Sequence, residues 1–196
     1  MIAAKRLLLD EAHLEEDFFA EDPSAAFDPV FVSGDTGGSR IVEITNGLTN
    51  GELPGVHDFA SALFTNVAGS VVFHNSSVFA STAYAVQLFN EFRNAALSCA
   101  KYSMRLNDGV EVDIERQMIR DRYMGPGSTA FEVKWLSKVD HYEIATSWFV
   151  VTVRDAVSFL NTRLPETSEH ERLARLVLDL AVAATSQKSS APQERA

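Results

Sequence analysis

The sequence predicts an α+β fold in which a mixed, mostly antiparallel sheet carries helices on its faces. Two observations support this class. Short apolar, β-branched runs are separated by turn residues, which is typical of hairpins, and other segments repeat their apolar residues at helical spacing. Hairpins and strand–helix–strand crossovers in one chain indicate helices packed against a mixed sheet.

Length and charge limit the classes of function. A chain of 196 residues can form one domain with a substantial core. Its 17 Lys and Arg against 27 Asp and Glu give a net charge of −10, which argues against a nucleic-acid-binding surface. Without a signal peptide, a run of about 20 apolar residues or a partner for Cys99, we expect a cytoplasmic protein with no membrane partner.

The chain is expected to divide into four parts. Residues 1–27 form an N-terminal helical extension, because the apolar residues of segment 6–18 fall at helical spacing. This segment contains "DEAH", but the phosphate-binding GxxxxGK(S/T) motif that helicases also need is missing. The main domain covers residues 28–165, a C-terminal helix covers 166–187, and a disordered polar tail covers 188–196.

In the first half of the main domain we expect six elements. An apolar run at 30–33 predicts a short strand, and apolar spacing predicts helices at 39–48 and 57–69. Two short strands are expected on either side of "HNSS" at 74–77, since this polar tetrapeptide interrupts an apolar run. The most regular apolar face predicts a long helix over 82–100.

The second half is expected to begin with a hairpin around Asn107-Asp108-Gly109. Ser128 or Thr129 is in position to cap a short helix after a Gly-Pro-Gly break. β-branched and aromatic residues at 141–153 predict a strand, and helices are expected at 155–164 and over the C-terminal segment, which opens with a capping-box pattern.

The most distinctive motif is "GDTGGS", which follows the strand at 30–33. Asp35 at the end of a strand can bind Mg²⁺ or Mn²⁺, and the carbonyl of Thr36 can add a ligand. Gly37, Gly38 and Ser39 allow a tight turn into a helix whose free N–H groups can bind substrate phosphate. The alternative is an ordinary turn in which Asp35 caps its own backbone.

A strand, "GDTGGS" and a helix in this order resemble the "aDxxGS" start of class III nucleotidyl cyclases, and the pattern of that family extends over about residues 28–165. The resemblance implies a ferredoxin-like core and a homodimer with shared active sites. It also implies that two Mn²⁺ or Mg²⁺ ions assist cyclisation of a nucleoside triphosphate to a 3′,5′-cyclic nucleotide and pyrophosphate. As a small single domain the chain is also similar to the pyrimidine cyclases of bacterial anti-phage Pycsar systems, which implies UTP or CTP as the substrate.

The resemblance also implies roles for individual residues. Asp35 and the carbonyl of Thr36 correspond to metal ligands, and Asn75 or its neighbour Ser76 stands where the family has its second aspartate. Lys134 is nearest to the arginine that stabilises the transition state, so Asp35 and Lys134 are the candidate catalytic residues. Thr129 is nearest to the asparagine that lies beside the base.

Two other interpretations stay open. One is a degenerate cyclase-like module that binds a nucleotide or a partner without turnover, because no aspartate stands at position 75 or 76. The other is an unrelated α+β interaction protein in which Asp35 is only a turn residue. His74 is expected to be a core histidine, and Trp135 and Trp148 are expected in the core or at a dimer interface.

Overall fold

The structure is a computed structural model that describes residues 3–15, 17–23, 29–123, 127–139 and 142–186. These residues form nine strands: β1 Phe18–Glu21, β2 Val30–Gly34, β3 Val56–Asn66, β4 Val71–Phe79, β5 Lys101–Arg105, β6 Glu111–Tyr123, β7 Ser128–Val139, β8 Tyr142–Val153 and β9 Ala156–Arg163. They also form three α-helices, α1 Thr36–Asn50, α2 Thr82–Ser98 and α3 Thr167–Ser186. Two short 3-10 turns, Ala4–Leu7 and Glu11–His13, precede β1.

All nine strands belong to one sheet, in the order β1-β3-β4-β9-β8-β7-β6-β5-β2. Helices α1 and α2 pack together on one side of this sheet, which we call the α1–α2 face. Helix α3 and the turn Ala4–Leu7 pack on the other side, the α3 face. Each face has its own apolar core, so the predicted α+β class with helices on the sheet faces is confirmed.

The prediction of a mixed sheet is wrong, because every strand pair in the described residues is antiparallel. The two crossovers do exist, but they join strands that are not neighbours. Helix α1 connects β2 at one edge of the sheet to β3 near the opposite edge, and α2 connects β4 to β5 across four intervening strands. A crossover between distant strands creates no parallel pair.

Helices α1, α2 and α3 lie where the sequence predicted helices, and the hairpin of β5 and β6 also lies where it was predicted. Three other expected helices are strands: residues 57–69 largely form β3, the segment after Ser128 forms β7, and residues 155–164 form β9. Strand β9 lies inside the sheet with both faces covered, so nearly every side chain from Ala156 to Leu160 is buried. A continuous apolar run of this kind does not distinguish a buried strand from a buried helix.

The turn expected at 74–77 is also wrong, because these residues lie within β4. Their four polar side chains are fully buried. His74 Nδ1 accepts a hydrogen bond from the Leu9 N–H at 3.1 Å, on the α3 face. Asn75 Nδ2 donates to the carbonyl oxygen of Leu48 at 2.8 Å, on the α1–α2 face. The buried polar residues of β4 therefore form hydrogen bonds to segments on both faces of the sheet. His74 is a core histidine, as expected.

The N-terminal segment does not form the helix expected over 6–18. Instead, Ala4 and Leu7 are buried on the α3 face, and β1 begins at Phe18 and pairs with β3. The disordered tail expected at 188–196 lies outside the described residues. Among the helices that are described, none combines the length and the hydrophobicity that crossing a bilayer requires.

Candidate functional site

Asp35 immediately precedes α1, and its carboxylate is held by backbone groups. Oδ2 accepts hydrogen bonds from the N–H of Ala100 at 2.8 Å and the N–H of Lys101 at 3.1 Å. The bond from Lys101, followed by that from Ala100, holds the pKa of Asp35 below its usual value. Asp35 therefore joins the start of α1 to the start of β5, instead of capping its own turn.

The glycines after Asp35 are explained by close packing. A Cβ atom on Gly37 would collide with the carbonyl oxygen of Ala95 in α2, and one on Gly38 would lie 2.5 Å from Cβ of Tyr102 in β5. Glycine thus allows α1 to approach both elements. Ser39 is exposed in the same helical turn, and binding of phosphate by these three residues stays a prediction.

The structure does not bring the three proposed metal ligands together. Asp35 and Thr36 lie at the start of α1, whereas Asn75 hydrogen-bonds to Leu48 near its end. Thirteen residues separate Asp35 from Leu48, which corresponds to about 20 Å at 1.5 Å per residue. Within the described part of the chain, no three His, Cys, Asp or Glu residues are grouped to hold a metal ion. A requirement for Mn²⁺ or Mg²⁺ stays a prediction without converging ligands.

Lys134 and Thr129 are also far from a common site with Asp35. Lys134 alternates along β7 with the buried Val133 of the α1–α2 face, and it acts electrostatically on His170 in α3. Its side chain therefore lies on the α3 face, while α1 and Asp35 lie across the sheet. Thr129 is exposed near the start of β7. The proposed catalytic pair is thus separated by the sheet.

An apolar pocket on the α1–α2 face is a feature that the sequence analysis missed. Helix α1 crosses the α1–α2 face, α2 covers the sheet on one side of it, and a pocket of about 360 Å³ opens on the other. We call it the α1 pocket. Strands β3 to β9 all contribute to its wall, and apolar side chains predominate: Leu63, Val71, Phe73, Met104, Leu106, Val112, Val139, Ile144, Trp148 and Phe159. Its size and composition are those of small-molecule sites in proteins.

Aromatic rings form the part of the wall that adjoins the α2 core. Phe159 lies 6.4 Å from Phe73 and 5.4 Å from Trp148 between ring centroids, in edge-to-face arrangements. Trp148 also contacts Phe92 of α2, so one layer of rings separates the pocket from the core. Trp135 and Trp148 are both buried, as expected of core residues. The indole N–H of Trp148 has no hydrogen-bond partner among the described residues.

Helix α1 contributes two threonines. The hydroxyl of Thr45 donates to the carbonyl of Ile41 at 2.9 Å, and that of Thr49 donates to the carbonyl of Thr45 at 2.9 Å. Both hydroxyls are therefore satisfied as donors within the helix. Their methyl groups and remaining lone pairs are what α1 can offer to a ligand.

Three polar residues of the pocket wall lie together, Asn161 and Arg163 of β9 and Thr146 of β8, while Thr65 of β3 and Ser137 of β7 line it elsewhere. The strand register pairs Ser147 with Thr162, which places Thr146 next to Arg163. In the described residues, none of these three side chains has a hydrogen bond or an ion pair with another residue. Alternation at 144, 146 and 148 and at 159, 161 and 163 was visible in the sequence, but their meeting depends on strand pairing.

Comparison with known proteins identifies the fold but no family. No family model and no curated protein matches the sequence. The extracellular domain of PknH from Mycobacterium tuberculosis is similar in structure, with a TM-score of 0.61 and 8% identity over 94% of this chain and 97% of that domain. An uncharacterized protein from Mycobacterium smegmatis, an Rv0999 ortholog, has a TM-score of 0.48 at 11% identity, covering 93% of this chain and 96% of the other. Cyanobacterial PsbP from Synechocystis has a TM-score of 0.35 at 12% identity, covering 88% and 86%.

These comparisons overturn the resemblance to class III nucleotidyl cyclases, including the pyrimidine cyclases of Pycsar systems. The PknH domain, which has the same fold over nearly its whole length, is not a nucleotidyl cyclase. The resemblance depended mainly on "GDTGGS". In the structure the carboxylate and glycines of this motif serve to dock α1 on β5 and α2.

Proposed function

We propose that this chain is a binding domain that holds a small, mostly apolar molecule in the α1 pocket. The observation that carries the proposal is the pocket itself, whose wall takes nine apolar side chains from seven strands and a tenth from Leu106, which follows β5. Water gains few hydrogen bonds from such a wall, so a ligand that covers it removes apolar surface from water at about 25 cal/mol per Å².

The two sides of α1 show why the pocket is a site and not a packing defect. On one side, α2 fills the space above the sheet with Phe89, Phe92 and other apolar residues. On the other side, the same sheet face continues with Phe73, Met104 and Ile144, which line the pocket beside α1. A concave apolar wall with a few polar groups at one side is the usual form of a ligand site.

The proposal can be tested by fluorescence, because Trp148 lines the pocket and the chain has only two tryptophans. In a Trp135→Phe background, Trp148 reports alone. Titration with decanol, a neutral ten-carbon probe, is expected to give a saturable change in its emission. The substitution Ile144→Phe fills the pocket and should weaken decanol binding by about tenfold or more.

The matched control is Leu97→Phe, which adds a ring at an exposed position of α2, away from the pocket. It should bind decanol as the background does. A folded protein that gives no saturable signal, or an Ile144→Phe variant with unchanged affinity, would remove the support for this function.

Nucleoside triphosphate binding, the homodimer and the cytoplasmic location stay predictions. The same assay separates triphosphate binding from the present proposal, since the α1 pocket has no carboxylate with which to hold a metal–triphosphate complex. A triphosphate with Mn²⁺ is therefore expected not to displace decanol. Size-exclusion chromatography tests the homodimer directly.

A further inference from the structure

We infer that the ligand of the α1 pocket carries a carboxylate, bound beside Arg163, on an apolar body that extends toward β5 and β6. This inference rests on the proposed function and names the chemical class of its ligand. It follows from the part of the pocket wall where three hydrogen-bond donors meet.

Arg163 differs from most arginines of the described chain. Six of them pair with carboxylates within the protein: Arg40, Arg93, Arg105, Arg120, Arg122 and Arg172. Arg163 lines the pocket and has no ion pair with any residue that the structure describes. In a chain of net charge −10, a guanidinium left unpaired beside an apolar pocket favours an anionic group of the ligand.

The neighbours of Arg163 complete a site for a carboxylate. Thr146 lies beside it on β8, and Asn161 precedes it by two residues on the same side of β9. The guanidinium can donate two parallel hydrogen bonds to a carboxylate, and the amide and hydroxyl groups add further donors. All three side chains are without protein partners in the described residues, so no internal bond must break when the ligand binds.

Neither of two carboxylates on nearby strands forms an ion pair with Arg163 in the structure. Glu143 of β8 lies 3.7 Å from the ammonium group of Lys138. Glu21 of β1 accepts a hydrogen bond from the hydroxyl of Thr65 at 3.4 Å.

The opposite side of the pocket suits the apolar body. Met104 of β5, Leu106 just after β5 and Val112 of β6 lie there, and no charged side chain from these two strands lines the pocket. A ligand oriented with its carboxylate at β9 would thus place its alkyl part against these residues. The volume of about 360 Å³ suits a chain of about ten carbons.

The test compares decanoate with decanol, which share the apolar body and differ in the head group. Wild-type protein is expected to bind decanoate about tenfold more tightly than decanol, as a charge-assisted hydrogen bond in a partly exposed site would give. Arg163→Gln should abolish this preference by weakening decanoate binding about tenfold. The matched control is Arg175→Gln, an exposed arginine of α3 on the other face of the sheet, which should keep the preference.

The possible results separate the two proposals. Equal binding of decanoate and decanol by wild type, or an unchanged preference in Arg163→Gln, would overturn the carboxylate assignment and leave the apolar site standing. Absence of binding by both probes would overturn the proposed function itself. Decyl phosphate serves as a third probe, and if it binds more tightly than decanoate, the anionic group is a phosphate and the carboxylate assignment fails.

Discussion

The two faces of the sheet are covered in different ways. On the α3 face, α3 and the turn Ala4–Leu7 close the core, and charged groups are buried at its border. On the α1–α2 face, α2 covers one half with aromatic residues and the other half stays open as the α1 pocket. On the α3 face Glu132 is paired with Arg120 and Arg122, whereas Thr146, Asn161 and Arg163 at the pocket have no partner among the described residues. We take this difference as the physical basis for placing ligand binding on the α1–α2 face.

Glu132 shows how the α3 face satisfies its charges. Its side chain is 1% exposed, and Oε2 accepts hydrogen bonds from Arg122 at 2.6 Å and Arg120 at 2.9 Å. Burial alone would raise the pKa of Glu132, but the bonds from Arg120 and Arg122 outweigh it and hold this pKa below its usual value. His170 of α3 lies close by, with its Nδ1 2.7 Å from the hydroxyl of Thr162, and burial lowers its pKa.

The largest effect is expected where α2 fills the α1–α2 face. Phe92 is 0% exposed and its ring contacts Phe131, Trp148 and Phe159. We expect Phe92→Ala to lower the free energy of unfolding by about 4 kcal/mol, because it leaves a large cavity among rings that are fixed by one another. Urea denaturation at equilibrium measures this loss. A loss below about 1 kcal/mol would show that this half of the face is as open as the pocket.

Removing the charge of Glu132 tests how much its buried ion pairs stabilise the α3 face. Glu132→Gln keeps the shape of the side chain but leaves Arg120 and Arg122 with only the exposed carboxylate of Glu171. We expect a loss of about 3 kcal/mol in the free energy of unfolding, since Glu132 is the buried partner of both ion pairs. Glu171→Gln is the control, because Glu171 contacts the same arginines with a side chain that is 50% exposed. Its loss should stay below about 1 kcal/mol, and equal losses would contradict the role assigned to burial.

The part of this arrangement that the sequence predicted is the local part. Helices α1, α2 and α3 repeat their apolar residues within their own segments, and Asn107-Asp108-Gly109 forms a turn by its own conformational preferences. Strands β3, β7 and β9 are defined by their neighbours in the sheet, which a single segment does not reveal.

The candidate site was harder to predict from the sequence for the same reason. Asp35 was recognised as unusual, but its carboxylate bonds to Ala100 and Lys101, more than 60 residues along the chain. Without that contact the motif suggested a metal site. The α1 pocket draws on seven strands, so its residues become neighbours only once the strand order is known.

The pH dependence of stability gives a further test of the difference between the two faces, because the α3 face buries a neutral histidine. Burial lowers the pKa of His74 from 6.5 to about 3. Since the folded-state pKa is the lower one, the unfolded state binds the proton first, and stability falls as the pH drops below 6.5. Between about pH 7.5 and about pH 5 this linkage costs about 2 kcal/mol.

His74→Gln removes this titration and can still accept the hydrogen bond from the Leu9 N–H. Over the same pH range, the free energy of unfolding of this variant should therefore fall by about 2 kcal/mol less than that of wild type. Urea denaturation at a series of pH values measures the difference. His57→Gln, at an exposed position, is the control and should follow the wild-type slope. Identical slopes for wild type and His74→Gln would show that the proton is accommodated on the α3 face.

The smallest effect is expected at the wall of the α1 pocket, and strand β8 allows it to be measured within one element. Val150 and Ile144 belong to the same side of β8, but Val150 is 0% exposed beneath α2 and Ile144 faces the pocket. Val150→Ala should cost about 2 kcal/mol, whereas Ile144→Ala should cost about 1 kcal/mol or less although it removes more carbon atoms, because water already reaches that site. The stabilisation that decanol gives should show the opposite order: Ile144→Ala should reduce it, whereas Val150→Ala should leave it unchanged. A larger intrinsic loss in Ile144→Ala than in Val150→Ala would mean that the pocket closes in solution, and the distinction between the two halves of the face would fail.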